Sequence, residues 1–218
     1  MKTALVFGSS GLIGGHLLNE LIQSDNYNKI KLFVRSDHGS NHSKTEIIKT
    51  DFNNLENHKE DIKGDDCFFC IGTTKKNSPD KNEYKRVELD VPKKIAQIAK
   101  SNLVNSFVFV SSGYADPNSS GDYLKFKGLV EEELKRLSFS KLGIMRPSFL
   151  IGDRKEKRVG EKVGIFIFKL LSPLFLGPLK KMKPIHSKKV AKAMIKITNG
   201  DFKQNVFESN EIVEVSNS

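Results

Sequence analysis

The sequence predicts an α/β fold built on an open, doubly wound parallel sheet, and three observations support that prediction. Short apolar runs recur along the chain, separated by helix-length segments. These runs lack an alternating polar face, which is typical of parallel strands covered by helices on both sides. A glycine-rich segment directly follows the first run and opens the first helix. Ligands bind beyond the carboxyl ends of strands in such a sheet, so functional residues are expected just after each strand.

The predicted elements follow one another in strand and helix order. The first strand is predicted at Lys2 to Phe7 and the first helix at about Leu12 to Ile22. Further strands are predicted at Ile30 to Val34, Glu46 to Thr50, Asp66 to Ile71, Ser106 to Ser111 and Leu142 to Met145. Helix-length segments lie at about 82–101 and about 122–137. We predict one Rossmann-type domain over 1–218, with about 147–218 contributing a small substrate-side cap.

Composition limits the classes of partner. The 218 residues include 36 Lys plus Arg against 26 Asp plus Glu, a formal net charge of +10, and 38% are hydrophobic, which is enough for a core and argues against disorder. The positive charge is spread over the chain as lysine pairs without interleaved aromatic residues or a nucleic-acid motif. We therefore predict no specific nucleic-acid partner.

The cysteines indicate a reducing compartment. Two cysteines cannot form a disulfide framework, and both lie in an apolar run. Cys67 and Cys70 are three residues apart on a predicted strand and so point to opposite faces, which predicts that both are buried packing residues. The N-terminal apolar run is too short for a signal peptide. A cytoplasmic location is the resulting prediction.

Neither a membrane-spanning segment nor a metal site is expected. The apolar stretch Val163 to Leu179 is interrupted by a lysine and two prolines and is too short to span a membrane. The five histidines show no ligand spacing with one another or with carboxylates, so no metal is expected.

The strongest local signal is the segment Gly8-Ser9-Ser10-Gly11-Leu12-Ile13-Gly14. Glycines permit a tight turn and the close approach of a pyrophosphate to the backbone. The N-terminus of the following helix offers free N–H groups and a partial positive charge. These seven residues are therefore predicted to bind a dinucleotide, the alternative being a purely structural turn.

The end of the second strand decides the expected cofactor. Arg35 stands where an NAD-specific site usually places a carboxylate for the ribose 2′-hydroxyl. The guanidinium fork matches a phosphate, so Arg35 favours NADPH over NADH. The alternatives are an exposed arginine without a role and an NAD site that uses Asp37. After the fourth strand, Ile71, Gly72 and Thr73 are predicted to line the middle of the cofactor, or else to form only a strand end and a turn.

Tyr123 and Lys127 form a Tyr-x-x-x-Lys pair after a strand that ends in Ser111-Ser112. At helical i, i+4 spacing the two side chains project from one face, so the ammonium can stabilise the phenolate. Such a tyrosine can pass a proton to a carbonyl oxygen while hydride arrives from a nicotinamide, and a serine hydroxyl can hold that oxygen. The pair gains weight from its position after the glycine motif and the serines, because alone it is common in a lysine-rich chain.

Together with Met145-Arg146-Pro147, these motifs resemble the atypical short-chain dehydrogenase/reductase superfamily, and within it the Tat-interacting oxidoreductase-like NAD(P)H-binding proteins. The resemblance implies that Tyr123 is the catalytic acid. It implies that Asp51 and Phe52 lie against the adenine, with a helix cap and a core contact as their alternative roles. It also implies cofactor contacts by Gly8 to Ile13, Arg35, Ile71, Gly72, Tyr123, Lys127, Pro147, Leu150 and Arg158.

The C-terminal third is expected to close over the substrate. Pro184-Ile185-His186 resembles the segment that precedes a late helix in extended members of the superfamily, and His186 is predicted to be a structural hydrogen-bonding residue. The apolar residues from Phe166 to Leu176 are predicted mostly as core packing, with an apolar substrate wall or a protein-contact surface as alternatives.

The leading functional prediction is a NADPH-dependent oxidoreductase that reduces a small-molecule carbonyl or oxidises an alcohol. Tyr123 is the predicted acid, Lys127 supports it and holds the ribose, and Ser112 or Ser111 orients the oxygen. One alternative is a NADPH-binding regulatory protein with a protein partner and little turnover. Another is a nucleotide-sugar epimerase-like enzyme, which is disfavoured because little chain follows Pro147 to form a sugar-nucleotide domain.

Overall fold

The computed structural model describes residues 1–36, 41–152 and 183–218. Its main element is a seven-stranded sheet in which every paired strand is parallel. The strands of this sheet are β1 (Lys2–Phe7), β2 (Tyr27–Val34), β3 (Thr45–Lys49), β4 (Asp66–Phe69), β5 (Ser106–Val110), β6 (Lys141–Arg146) and β9 (Val206–Glu208). Their spatial order is β3-β2-β1-β4-β5-β6-β9. A second, two-stranded sheet pairs β7 (Leu150–Ile151) with β8 (Ile185–His186).

Helices connect the strands. The described helices are α1 (Leu12–Gln23), α2 (Lys81–Lys85), α3 (Val91–Ser101), α4 (Asp122–Leu137), α5 (Ser187–Asn199) and α6 (Ser209–Asn217). A 3₁₀ turn occupies Leu55–His58, and a π-helical turn, Arg86–Asp90, joins α2 to α3. The predicted helix at about 82–101 is therefore one continuous helical segment with a π-helical turn inside it. Within the described ranges no helix has both the length and the apolarity that crossing a membrane requires.

The strands form because both of their faces can be buried. Phe7 and Phe69 lie in one core cluster, and their neighbours Val6 and Phe68 lie in the cluster on the opposite face. Helices α3 and α4 pack together, and α1 packs on α5. The prediction of a doubly wound parallel sheet is confirmed.

The topology determines where a ligand can bind. Strand β1 pairs with β2 on one side and with β4 on the other. The chain therefore builds the sheet outward from β1 through β2 to β3, and then continues on the opposite side of β1 with β4. Such a change of side opens a crevice at the carboxyl ends of the strands. Gly8 to Gly14, Arg35, Ile71 to Thr73 and Ser111-Ser112 all follow the carboxyl ends of these strands.

Candidate active site

Two adjoining cavities lie at this crevice. The smaller cavity, of about 320 Å³, lies beside the ends of β1, β2 and β3, and the larger, of about 540 Å³, extends toward the end of β5 and the start of α4. Both are lined by Gly11, Cys70, Ile71, Gly72, Thr73 and Asn77. The cleft is thus elongated, with the glycine turn and the segment after β4 at its middle.

The glycine turn fits a phosphate group. Gly8 has φ +91, and a Cβ built on Gly14 would lie 2.0 Å from the carbonyl oxygen of Gly8, so side chains are excluded at both positions. The N-cap of α1, Gly11, makes no side-chain capping hydrogen bond. The first N–H groups of this helix therefore have no capping acceptor and are suited to an anionic oxygen.

The other residues of the glycine motif divide between the cavities. Ser10 lines the smaller cavity, and Leu12 and Ile13 line the larger one. Ser9 is buried and, like Gly14, lines neither cavity. Ser9 and Gly14 therefore help to pack the turn instead of lining the cleft.

The smaller cavity brings together the residues predicted for the adenosine end. Arg35 is exposed and borders it, as do Asp51 and Phe52. The Asp51 carboxylate accepts hydrogen bonds from the backbone N–H of Asn53 at 2.9 Å and from its side-chain amide at 2.8 Å, which lower the pKa of Asp51. Phe52 adopts φ +63, and its ring centroid lies 6.4 Å from that of Phe7. Phe52 therefore also makes the core contact that was predicted as its alternative role.

Sequence reasoning missed two charged residues of this cavity, Glu83 and Arg86. The Arg86 guanidinium forms a two-pronged pair with Glu83, with Nε–Oε2 at 2.7 Å and Nη2–Oε1 at 2.9 Å. Its Nη1 donates to the carbonyl oxygen of Phe52 at 3.1 Å. The Glu-x-x-Arg spacing indicates the pair, but only the tertiary fold shows that it borders a cleft.

The larger cavity brings together the predicted catalytic residues. Tyr123, Lys127, Ser111 and Ser112 all line it, and so do Pro147 and Leu150. Tyr123 lies in the first turn of α4 and is 39% exposed, whereas Lys127, one turn later, is buried. The Lys127 ammonium lies 5.9 Å from the ring centroid of Tyr123 and 4.8 Å from that of Phe109. Helix α4 thus presents both side chains to one cavity.

A buried carboxylate that the sequence analysis did not identify lies beside Lys127. The Nζ of Lys127 lies 3.0 Å from Oε2 of Glu88, and the two side chains are only 4% and 0% exposed. Glu88 also accepts a 2.5 Å hydrogen bond from the backbone N–H of Thr73, and Lys127 donates to the carbonyl oxygen of Val110 at 3.3 Å. Glu88 therefore connects the ammonium to the segment that lies between the two cavities.

The π-helical turn is what carries Glu88. Such turns are rare and occur often at functional sites. A signal for Glu88 was present in the sequence, because at helical spacing it shares the apolar face of Tyr84, Val91 and Ile95. An acidic residue on a buried helix face requires a charged partner, but the sequence alone does not name that partner.

The two serines have different surroundings. Ser111 is buried, and its hydroxyl donates a 2.5 Å hydrogen bond to Glu131. Glu131 in turn pairs with Arg146 through bonds of 2.5 and 2.9 Å. The Ser112 hydroxyl is only half-buried, and among the described residues its one hydrogen bond is a 3.3 Å contact with the carbonyl oxygen of Gly113. Ser112 is thus the serine whose hydroxyl is available to a ligand.

The cysteine prediction needs one correction. Cys67 is buried in one core cluster, as predicted, and Cys70 packs against the opposite cluster. Cys70 is only half-buried, however, and borders both cavities, because it follows the last residue of β4 at the crevice. Burial of the thiol raises the pKa of Cys70 to about 12, against the opposing effect of the Lys127 charge. Cys70 is therefore a lining thiol that stays protonated at neutral pH.

His186 has the structural place that was predicted for it. It is the N-cap of α5, and its Nδ1 accepts from the backbone N–H of Lys188 at 3.2 Å. Asp37, Arg158 and the apolar run from Phe166 to Leu176 lie outside the described residues. Within the described ranges, no group of three His, Cys, Asp or Glu side chains is placed to hold a metal ion.

Comparisons with known proteins identify the family of the chain. The profile of a family described as NAD(P)H-binding matches residues 8–200. The chain is 33% identical to the rat protein HTATIP2 over 166 residues, which is 73% of this chain and 67% of that one. It is 30% identical to the mitochondrial protein FMP52 of Eremothecium gossypii over 221 residues, 97% of this chain and 96% of that one.

Solved structures share the fold at lower identity. A UDP-N-acetylglucosamine 4-epimerase from Methanobrevibacter ruminantium has a TM-score of 0.72 at 21% identity, with 98% of this chain and 80% of that chain covered. The Bordetella bronchiseptica enzyme WbmH, solved with NAD⁺, has a TM-score of 0.71 at 17% identity, with 100% of this chain and 80% of that chain covered.

The names of the fungal relatives contradict one prediction. FMP52 proteins at 27% to 30% identity are named mitochondrial, including those of Candida glabrata and Debaryomyces hansenii. The predicted cytoplasmic location is therefore wrong. Two cysteines outside a disulfide framework indicate only reducing conditions, which do not by themselves identify a compartment.

Proposed function

The chain belongs to the NAD(P)H-binding family and is an atypical short-chain dehydrogenase/reductase, and we propose that it is a NADPH-dependent oxidoreductase that reduces a carbonyl or, in reverse, oxidises an alcohol. The observation that carries the proposal is that Tyr123, Lys127 and Ser112 line one cavity, directly beside the glycine turn. A substrate in that cavity would lie between these side chains and the cofactor.

The cleft has the features that a dinucleotide requires. Its middle is a glycine turn with an uncapped helix N-terminus, which suits the pyrophosphate. Arg35, which borders the smaller cavity, would bind the 2′-phosphate, and Asp51 and Phe52 would lie against the adenine. Ile71, Gly72 and Thr73 border both cavities and would hold the central part of the cofactor.

The chain's own residues would manage the proton. When bound, the nicotinamide supplies the hydride that goes to the carbonyl carbon. The Tyr123 hydroxyl gives its proton to the carbonyl oxygen, and the Ser112 hydroxyl donates a hydrogen bond to the same oxygen. The Lys127 ammonium stabilises the phenolate that remains. Tyr123 is 39% exposed, so the phenolate can regain a proton from solvent.

One observation favours a second candidate function, a NADPH-binding regulatory protein with little turnover. Glu88 lies 3.0 Å from the Lys127 ammonium in a buried environment and neutralises its charge. That charge is consequently less able to support a phenolate at Tyr123, which predicts slow chemistry with cofactor binding intact. In this case the cofactor would stabilise a surface for a protein partner.

We further propose that about 147–218 contributes the substrate-side cap, because Pro147, Ser148 and Leu150 line the larger cavity. We also propose a mitochondrial location, on the basis of the fungal relatives' names. Fractionation of the source cells, probed with an antibody to the chain, tests the location. Recovery with a mitochondrial marker supports it, and recovery only with a cytosolic marker contradicts it.

The test of the reaction is Tyr123→Phe, which removes the hydroxyl and keeps the ring. We expect kcat for reduction of aldehydes and ketones to fall by about 100-fold or more, because a general acid is lost. The Kd of NADPH should stay near the wild-type value. Tyr114→Phe is the matched control, since Tyr114 is an exposed tyrosine of the same chain region that lines neither cavity.

Two outcomes decide between the candidates. Wild-type turnover that Tyr123→Phe leaves unchanged contradicts the proposed role of Tyr123. NADPH binding without turnover of any of the aldehydes and ketones assayed contradicts the enzyme proposal and supports the regulatory one.

A further inference from the structure

The smaller cavity contains two cations and two anions. Arg35, Arg86, Asp51 and Glu83 all line it. A cavity built only to attract a phosphate would carry an excess of positive charge. Here the formal charges of the four side chains cancel, so the selectivity for a phosphorylated cofactor depends on how these charges are engaged.

Most of the four charges already have partners. The Arg86 guanidinium is engaged by both Glu83 oxygens and by the carbonyl oxygen of Phe52. The Asp51 carboxylate is engaged by Asn53. Among the described residues, Arg35 has no hydrogen-bond or ion-pair partner. Arg35 is therefore the cation that a ligand phosphate can reach without breaking an existing pair.

Glu83 is the anion that acts on Arg35. Hydrogen bonds from Arg86 lower the pKa of Glu83, and the positive charge of Arg35 contributes to the same shift. Glu83 is thus ionised at neutral pH and lies within electrostatic reach of Arg35. A 2′-phosphate bound by Arg35 would feel repulsion from Glu83, whereas a 2′-hydroxyl can donate a hydrogen bond to a carboxylate.

We propose that Glu83 is a specificity-determining residue that weakens the preference for NADPH and gives the protein usable affinity for NADH. The inference rests on the proposed binding of the 2′-phosphate by Arg35. Glu83 acts in two ways, since its negative charge opposes the phosphate and its two oxygens keep Arg86 from turning toward it. Removing the charge while keeping the side-chain shape should therefore increase discrimination between the two cofactors.

The experiment is calorimetric titration of NADPH and NADH into the wild type and Glu83→Gln. We expect the ratio of the NADH Kd to the NADPH Kd to rise by about threefold to tenfold in Glu83→Gln, as a charge removed near a phosphate predicts. The rise should shrink at high salt, because the side chains are partly exposed. The ratio is informative because general damage to the cavity would weaken both cofactors equally.

Glu133→Gln is the matched control. Glu133 forms the same i, i+3 pair with Arg136, with Nη2–Oε1 at 2.7 Å and Nε–Oε2 at 3.0 Å, and lines neither cavity. We expect its cofactor ratio to equal that of the wild type. Glu83→Ala serves as a second variant and should shift the ratio in the same direction as Glu83→Gln.

An unchanged or lower ratio in both Glu83 variants, with both cofactors still bound, overturns the inference and leaves the proposed function intact. A wild type that binds neither cofactor overturns the proposed function itself, and the inference with it.

Discussion

The two ends of the cleft hold similar ion pairs in different surroundings. At the smaller cavity, the Arg86 and Glu83 side chains are 31% and 43% exposed. At the larger cavity, the Lys127 and Glu88 side chains are 4% and 0% exposed. Exposed pairs contribute about 0–1 kcal/mol and can be altered at little cost, whereas a buried charge that loses its partner costs several kcal/mol. The first end is therefore suited to the proposed selection between cofactors, and the second is a fixed framework for the proposed chemistry.

The fixed framework extends beyond Lys127. Ser111 and Glu131, which are buried, and Arg146, which is partly buried, form a second network next to the same cavity. These groups are all committed to one another. The hydroxyls of Tyr123 and Ser112 line the same cavity and take no part in either network, so a substrate can engage them.

The largest expected effect comes from unpairing the buried charges. Glu88→Gln keeps an acceptor for the N–H of Thr73 but leaves the Lys127 ammonium buried without a carboxylate. We expect the free energy of unfolding, measured in urea, to fall by about 3–5 kcal/mol. The double variant Glu88→Gln with Lys127→Met removes both charges and should recover most of that loss. If the loss of unfolding free energy in the double variant equals the sum of the losses in the two single variants, Glu88 and Lys127 are not coupled. That result would contradict the stated difference between the buried and the exposed pair.

The next effect separates the two serines. Ser112→Ala should lower kcat by about 100-fold through loss of a hydrogen bond to the substrate oxygen, with little change in stability. Ser111→Ala should instead lower the free energy of unfolding by about 1–3 kcal/mol, because Glu131 loses a buried donor. Steady-state kinetics and urea unfolding of both variants measure the two effects. Equal losses of kcat in the two variants would contradict the assignment.

The smallest expected effect is the contribution of the Glu133–Arg136 ion pair to stability, which tests how little a pair with an exposed partner contributes. Bonds from Arg136 and Gln97 lower the pKa of Glu133 from 4.5 to about 2. A depressed carboxyl pKa stabilises the folded state above the unfolded value and loses that contribution as the pH falls toward the folded value. The wild type should thus exceed Glu133→Gln by about 1 kcal/mol or less at neutral pH, because Arg136 is exposed. That difference should shrink below pH 4.5 and disappear near pH 2 in acid-dependent urea unfolding; a difference independent of pH would contradict it.

The fold was largely predictable, because most of its strands and helices have a recognisable local pattern of apolar and polar residues. β1 at Lys2–Phe7 and α4 at Asp122–Leu137 match the predicted ranges, since apolar runs and helical periodicity mark them directly. The short strands β7, β8 and β9 were missed, because two or three residues carry no periodic signal.

The candidate site was predictable only where a local sequence motif marks its residues. The glycine turn, Arg35 and the Tyr123–Lys127 pair lie next to local motifs, and the fold brings them to the cleft as expected. Glu88 pairs with Lys127, which is distant in sequence, and Arg86 reaches the cleft beside Phe52, which is also distant, although its pairing with Glu83 is local. No local spacing indicates the Glu88–Lys127 pair, so for Glu88 the sequence could show at most that an acidic residue lies on a buried helix face.

The most direct test of the account is the titration of NADPH, NADP⁺, NADH and NAD⁺ into the wild type and Arg35→Ala, with Arg136→Ala as a control for the loss of one arginine far from the cleft. We expect Arg35→Ala to weaken binding of the NADP(H) forms by about tenfold or more and to leave binding of the NAD(H) forms nearly unchanged. Arg136→Ala should change neither. Equal weakening of all four by Arg35→Ala, or no binding of any of them to the wild type, would contradict the account.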